Sequence, residues 1–170
     1  MSETERKHDF AEEIIKSDII SNYIKGWLNA VSESLKDLDR ETAEKITMKT
    51  AQVCYKFWHD HMAEHGYDLS SHDLASFVKA LDEHVKEQGK GEGYAILEDE
   101  NTVFVVFKPG ECACPLVLSG YLKPSPNLCL CPNHCFKLAL ETVTGKPVKS
   151  EYITSLAAGS DSCTFRARVL

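Results

Sequence analysis

The spacing of apolar residues changes near residue 90, and this change constrains the fold more than any other feature of the sequence. Before it, apolar residues recur every three or four positions, which is typical of amphipathic helices. After it, they come in short continuous runs typical of strands. Three glycines lie between Gly89 and Gly93, so we expect a turn or short linker there. The pattern predicts an α+β fold whose N-terminal half is helical.

Three helices are expected before this linker. Asp39 can cap the second helix and Gly66 can end it, while Ser70 or Ser71 starts the third. The residues expected on the apolar faces or in the core are, helix by helix, Ile20, Ile24, Trp27, Val31, Leu35 and Leu38; Ala43, Ile46, Thr50, Val53, Phe57 and Trp58; and Leu74, Phe77, Val78, Leu81 and Val85.

The second half predicts the element order β-β-α-β-β. Residues 94–97 and 103–107 form a hairpin through an acidic turn, residues 133–144 form a helix that ends at Gly145, and residues 149–156 and 163–169 form a second hairpin. We expect residues 1–170 to be one domain. In it, a helical part, 1–88, packs on an antiparallel sheet formed by a cysteine-rich part, 94–170.

The net charge of the chain limits the classes of partner that it can bind. The chain has 19 basic and 26 acidic residues, a net charge of −7. Nucleic acids and anionic membrane surfaces favour a basic face, so we expect neither as a partner. The sequence shows no apolar run long enough to span a bilayer and no signal peptide at its charged start, which predicts a cytoplasmic protein. In that reducing compartment, clustered cysteines are more often metal-binding or reactive than disulfide-bonded.

The cysteines carry the main functional signal. Cys-x-Cys-Pro occurs at Cys112 and Cys114 and again at Cys129 and Cys131, and Cys135 follows the second copy. Thiolates are soft ligands that suit zinc, cuprous copper and iron–sulfur clusters. Residues 116–128 contain a glycine and two prolines and can fold back, so we predict that Cys112, Cys114, Cys131 and Cys135 converge on one metal. Cys129 is the reserve ligand, since it can point into the core instead.

The same residues allow two other interpretations. If Cys131 caps a helix that starts at Pro132, the helix N-terminus lowers the pKa of its thiol, and a thiol-dependent hydrolase or reductase using Cys131 or Cys135 becomes the alternative. We assign no catalytic residue, because the sequence shows no base, acid or oxyanion donor set for such an enzyme. The third interpretation is structural, with small buried apolar side chains or a zinc that only pins a loop.

The remaining candidates are weaker. Cys54 lies beside apolar helix positions and is interpreted as a core thiol, whereas core packing and metal ligation suit Cys163 equally well. His61 and His65 share a helix face at a spacing that a zinc-binding pair could use, but a solvated face is the preferred interpretation.

From Cys129 to Val169 the chain resembles the C-terminal part of the 4-vinyl-reductase domain. The resemblance rests on a cysteine, a helix ending in Gly-Lys-Pro-Val, a strand, and the motif Gly-Ser-Asp-Ser-Cys-Thr-Phe that begins at Gly159. That domain belongs to a ligand-binding superfamily shared with nitric-oxide sensors and TRAPP trafficking proteins. The chain is most similar to cysteine-rich prokaryotic members, and more loosely to the amino-thiazoline-carboxylate hydrolase-like family.

The resemblance implies a domain that encloses an apolar small-molecule pocket, often as a sensor and often as a dimer. Phenol-sensing relatives hold a structural zinc with an early cysteine, a Glu-x2-Cys pair and a final cysteine. Here Cys129 or Cys131 matches the first ligand and Cys163 the last, but Tyr152 and Ser155 stand at the middle positions. The family's zinc site is therefore not intact.

Together these observations predict a small-molecule or redox sensing or binding domain with a cysteine-ligated metal near an apolar pocket. The expected cofactor is zinc or an iron–sulfur cluster. The expected partners are a small apolar or aromatic ligand and a second copy of the chain in a homodimer.

Overall fold

The structure, a computed structural model, describes residues 18–64, 68–69, 72–88, 91–110, 112 and 114–170. The α-helices within these residues are α1 (Asp18–Lys36), α2 (Arg40–Glu64), α3 (Leu74–Gln88), α4 (Pro115–Leu118) and α5 (Leu130–Thr144). Its four strands are β1 (Tyr94–Asp99), β2 (Thr102–Val106), β3 (Val148–Thr154) and β4 (Thr164–Val169). The predicted α+β class is confirmed, with helices in the N-terminal half and strands in the C-terminal half. Each predicted strand is present, with its ends shifted by at most two residues.

The strands form one antiparallel sheet in the order β1-β2-β4-β3. Side chains alternate between its faces: on β4, Phe165, Ala167 and Val169 are buried whereas Arg166 and Arg168 are exposed. On the covered face, α3 packs against β1, and α5 packs against β3 and β4. The helix α2 packs mainly on α5, so the N-terminal half meets the sheet directly through α3 and indirectly through α2.

Local capping signals define several helix ends. Asp39 accepts hydrogen bonds from the backbone N–H of Thr42 at 2.9 Å and from its hydroxyl at 2.7 Å, which confirms the predicted cap of α2. Asp73 caps α3 in the same way, through the N–H of Ser76 at 2.7 Å. The helix therefore begins at Leu74, not at Ser70 or Ser71 as predicted, because an aspartate nearer the apolar stripe supplies the cap. The positions of Gly66, Ser70 and Ser71 lie outside the described residues.

The ends of α5 show one correct and one incorrect prediction. Gly145 ends the helix in the left-handed conformation, with φ of 65°, as predicted. The helix begins at Leu130 rather than at Asn133, because the chain already adopts helical geometry at Cys129.

The apolar face predicted for α3 is confirmed. Phe77, Val78 and Val85 are buried in the core, and Leu74 and Leu81 pack against it.

The face predicted for α2 is largely wrong. Its buried residues are Ala43, Thr47 and Ala51, one turn apart, whereas Val53 and Phe57 are 71% and 75% exposed. Small side chains allow close approach of a neighbouring helix, and α5 packs on α2. Close packing against α5 therefore buries the small residues of α2 and leaves its larger apolar residues exposed.

The two tryptophans also differ from each other. Trp58 packs against the core, as predicted. Trp27 is 58% exposed, so its interpretation as a core residue is wrong. On α1 the buried apolar residue among those described is Leu35, and Ile24 and Val31 are exposed.

Candidate thiol-rich site

The segment after β2 brings the first cysteine pair to the second. Cys114 precedes the short helix α4, and its carbonyl accepts hydrogen bonds from the N–H groups of Val117 and Leu118, both at 3.0 Å. Pro115 occupies the first helical position, where its missing N–H costs nothing. Gly120, with φ of 72°, then turns the chain back.

Polar contacts with α1 hold the returning segment. Asn29 donates to the carbonyl of Tyr121 at 3.1 Å and accepts from the N–H of Lys123 at 2.9 Å. Further along, the hydroxyls of Ser32 and Ser125 are 3.2 Å apart, and both residues are buried. The segment thus reaches α5 in a defined position, as its glycine and prolines suggested.

Cys131 is not a helix cap. Cys129 occupies the N-cap position of α5, without a capping hydrogen bond from its side chain, and Cys131 is the second residue of the helix. The predicted lowering of the pKa of Cys131 is therefore wrong. A hydrogen bond with Cys54, and then burial, raise its pKa.

Four cysteines line one small, partly open cavity of about 10 Å³. They are Cys112, Cys114, Cys129 and Cys163, and the other lining side chains are valine, leucine, proline and phenylalanine. The four come from three separate parts of the chain: the segment after β2, the start of α5, and the residue before β4. A volume near 10 Å³ admits about one water-sized group.

The other three cysteines form a group beside this cavity. The thiol of Cys54, from the middle of α2, interacts with that of Cys131, and each thiol changes the pKa of the other. Cys135 lies one turn further along α5 and interacts with Cys54 and Cys114. Cys114 interacts with members of both groups. All seven cysteines of the chain therefore lie in one region, and none is in a disulfide.

Burial controls the charge of these thiols. It raises the pKa of Cys114 and Cys129, and raises the pKa of Cys135 to about 12. A hydrogen bond with Cys163, and then burial, raise the pKa of Cys112. Cys54 differs, because the Cys131 thiol stabilises its thiolate and lowers its pKa to about 7.

The predicted metal ligands are divided between the two groups. Cys112 and Cys114 lie at the cavity with the reserve residue Cys129, whereas Cys131 and Cys135 lie beside Cys54. Among the residues that the structure describes, no three histidine, cysteine, aspartate or glutamate side chains are arranged to hold a metal ion. Coordination would require some of the thiols to rotate inward and lose their protons.

Sequence reasoning underrated two members of the cluster. Cys163 lines the cavity, and Cys54 contacts Cys131, although neither belongs to a Cys-x-Cys motif. The signal available for Cys54 was its place on the helix, about one turn after Ala51 and two turns after Thr47, which are small residues.

The histidines do not extend the cluster within the described residues. His65 and the side chain of His61 lie outside those residues. Both ring nitrogens of His134 are buried and have no hydrogen-bond partner in the described structure, so no cysteine–histidine pair forms there. Burial lowers the pKa of His134, which keeps the ring neutral. The thiol-enzyme alternative gains no base from this arrangement.

None of the described helices has both the length and the apolar character needed to cross a membrane. No protein-family model matches the chain, and no curated protein matches it either.

Comparison with solved structures finds a similar fold. The chain is similar to the crystal structure of a trafficking protein particle complex subunit 3 from Naegleria fowleri, covalently bound to palmitic acid. The TM-score is 0.54 at 16% sequence identity, and the match covers 92% of this chain and 96% of the other. At that identity the likeness shows the fold alone. It supports a TRAPP-like fold, as the ligand-binding superfamily implied, and gives no support to the 4-vinyl-reductase-like assignment.

Proposed function

We propose that this protein is a small-molecule or redox sensing module whose centre is the thiol-lined cavity, and that thiolates there hold a metal, zinc or an iron–sulfur cluster. One observation carries the proposal. Four cysteines from three separate parts of the chain surround a cavity whose other walls are apolar. Isolated cysteines often fill cores, but core filling gives no reason for four thiols to meet.

The cavity suits an ion better than an organic molecule. Pockets for small organic ligands measure roughly 300–1,000 Å³, whereas this cavity measures about 10 Å³. A tetrahedral zinc with four thiolate ligands needs only one atom's space at the centre. Cys112, Cys114, Cys129 and Cys163 are therefore the first ligand set to test. An iron–sulfur cluster is larger and would recruit Cys131 and Cys135 from the adjacent group.

A small apolar or aromatic ligand is the second part of the proposal. The fold neighbour carries palmitic acid, which supports ligand binding on a fold of this kind. In the present conformation such a ligand would have to enter by displacing the segment of residues 115–128, which forms one wall of the cavity. That segment is held to α1 by a few polar contacts, so it is the element expected to move.

The experiment is to purify the full chain without oxygen and measure its metal content and absorption spectrum. About one zinc per chain in a colourless protein supports a four-thiolate site, and iron with sulfide in a brown protein supports a cluster. Absence of both metals would contradict the metal proposal and favour thiol chemistry.

Single serine variants then identify the ligands. Replacement of Cys112, Cys114, Cys129 or Cys163 is expected to release the metal and lower the stability of the fold, because metal binding contributes to folding free energy. Cys54→Ser is the matched control and should keep the metal, since Cys54 does not line the cavity. Full metal content in all four cavity variants would contradict this ligand set.

A further inference from the structure

We propose that the outer edge of β3 binds an extended segment of a partner protein, which adds to the sheet as a further antiparallel strand. The inference goes beyond the proposed function, because it involves neither the thiols nor the cavity. Within the described residues, the strand order β1-β2-β4-β3 leaves β3 with a neighbouring strand on one side only. An edge strand presents its outward N–H and C=O groups to a chain that can pair with them.

The hydrogen-bond pattern of the β3–β4 pair shows which groups face outward. The residue opposite Val148 on β4 is followed by Leu170, whose N–H donates to the carbonyl of Pro147 at 2.9 Å. In an antiparallel ladder this bond makes Val148 and its partner a non-hydrogen-bonded pair, and the pattern alternates along the strand. The N–H and C=O groups of Val148, Ser150 and Tyr152 therefore point away from β4.

One of these outward groups is already occupied. The N–H of Val148 donates to Glu141 Oε1 of α5 at 3.1 Å. In the part of the chain that the structure describes, no other residue accepts from the N–H groups of Ser150 and Tyr152. These two donors, with the outward carbonyls beside them, are therefore available to an incoming strand.

The exposed side chains of β3 specify the chemistry of the partner. Lys149 and Glu151 lie on the uncovered face of the sheet and are exposed. On β4, Lys149 lies opposite Arg168, and Glu151 lies opposite Arg166. Like charges that face each other across two strands destabilise the pair, whereas opposite charges stabilise it. An acidic side chain beside Lys149 and a basic one beside Glu151 would therefore be favourable.

The direction of pairing fixes the order of these charges in the partner. Antiparallel pairing is slightly more stable per residue than parallel pairing. Read from its N-terminus, an antiparallel segment meets Glu151 before Lys149. The favoured segment is therefore extended and carries a basic residue, then any residue, then an acidic residue.

The sequence of β3 itself contains this pattern, but a second copy of the chain fits the edge less well. Its Val148 N–H would also be held by Glu141, so the pair would lose a hydrogen bond on each strand. The helix α5 covers β3, and paired strands lie roughly 4.8 Å apart, whereas packed helices need about 8–10 Å. A segment without its own covering helix avoids this crowding.

The test measures the affinity of the full chain for two labelled peptides of identical composition, by fluorescence anisotropy at low ionic strength. One peptide reads TVKVEVT, and in the other, TVEVKVT, the two charges are exchanged. We expect the first to bind about tenfold more tightly, because its charges oppose those of β3. Lys149→Glu combined with Glu151→Lys should reverse this preference.

Ser150→Pro tests the main-chain contact. It removes an outward N–H and leaves the bonds between β3 and β4 in place, and proline is tolerated at such edge positions. We expect both peptides to bind about tenfold or more weakly to this variant. Ser150→Ala keeps the N–H and is the matched control, which should bind like the wild-type chain. Circular dichroism checks the fold of each variant.

The inference is overturned if the two peptides bind equally, if neither binds at millimolar concentration, or if a folded Ser150→Pro variant binds as tightly as the wild-type chain. Should that variant not fold, the paired charge reversal decides the question alone, and an unchanged peptide preference overturns the inference. Sedimentation equilibrium identifies the competing occupant. If Ser150→Pro dissociates a wild-type oligomer, a second copy occupies the edge of β3, and the proposed peptide partner is wrong.

Discussion

At the scale of single residues, burial and sulfur–sulfur contact determine the chemistry of the thiols. Thiols in apolar surroundings keep their protons, as the raised pKa values of Cys114, Cys129 and Cys135 show. The exception is Cys54, whose thiolate accepts a hydrogen bond from Cys131. At neutral pH these three thiols are therefore neutral, whereas Cys54 titrates.

We predict that Cys54 is the first cysteine to be alkylated. Its pKa of about 7 lies below its ordinary value of 9.0, so it is substantially ionised at neutral pH, and its reaction rate should fall as the pH drops through about 7. Iodoacetamide labelling at a series of pH values, read out by peptide mass spectrometry, measures this rate. Cys131→Ala tests the cause: removal of the hydrogen-bond donor should shift the midpoint upward. Equal labelling rates for Cys54 and Cys135 at neutral pH would contradict the prediction.

At the scale of elements, the entry to β1 depends on a glycine. Gly93 has φ of 88°, a conformation that other residues rarely adopt. A Cβ at this position would lie 2.8 Å from the carbonyl oxygen of Val106 and 3.0 Å from Val85 Cγ1. The close approach lets the chain leave α3 and enter the sheet beside β2 without displacing either element.

Gly93→Ala is expected to destabilise the fold by about 2–4 kcal/mol, because left-handed strain adds to a backbone clash that cannot easily relax. Gly91→Ala is the matched control. Gly91 also has positive φ, of 90°, but nothing lies within 4 Å of its Cβ position, so its cost should be about 1 kcal/mol. Urea denaturation of both variants gives the two free energies of unfolding. Equal losses would show that the clash at Gly93 contributes nothing.

At the scale of the whole molecule, the apolar residues left outside the fold suggest association with a second copy. Val53 and Phe57 lie on an open groove of about 400 Å³ on α2, together with Lys49, Lys56 and Asp60. Exposed large apolar side chains rimmed by polar ones mark interaction surfaces. Lys56 and Asp60 of the rim already form an ion pair within the chain, so contact between two copies would bury mainly the apolar side chains of Val53 and Phe57. We propose this face as the homodimer contact.

Phe57→Ser should convert a dimer to a monomer while leaving the stability of the subunit nearly unchanged, since Phe57 is 75% exposed in the single chain. Sedimentation equilibrium across a range of concentrations measures the change. Ile153→Ser, at an apolar residue 49% exposed on the uncovered face of the sheet, should leave the dimer intact. A wild-type chain that stays monomeric at all concentrations would contradict the proposal.

The features determined by the sequence itself are those encoded within a few residues. Asp39 caps α2 through a residue three positions away, Gly145 ends α5 in a conformation that glycine favours, and the spacing in α3 specifies its buried face. The four strands and the long helix α5 follow from short apolar runs and turns in the same way, whereas the short helix α4 between β2 and α5 was not predicted. In each case the interacting residues are close together in the sequence, so the feature can be predicted without knowing the fold.

Tertiary structure determined the features that depend on contacts between residues far apart in the sequence. The sequence of α2 offers two apolar faces, and packing against α5 buried the one with small residues while exposing Val53 and Phe57. The same packing brought Cys54 to Cys131, and sheet pairing brought Cys163 to the cavity. The Cys-x-Cys motifs predicted that a thiol-rich site exists. Which thiols face one another was decided only by how the helices and the sheet pack, because side chains far apart in the chain meet only in the folded protein.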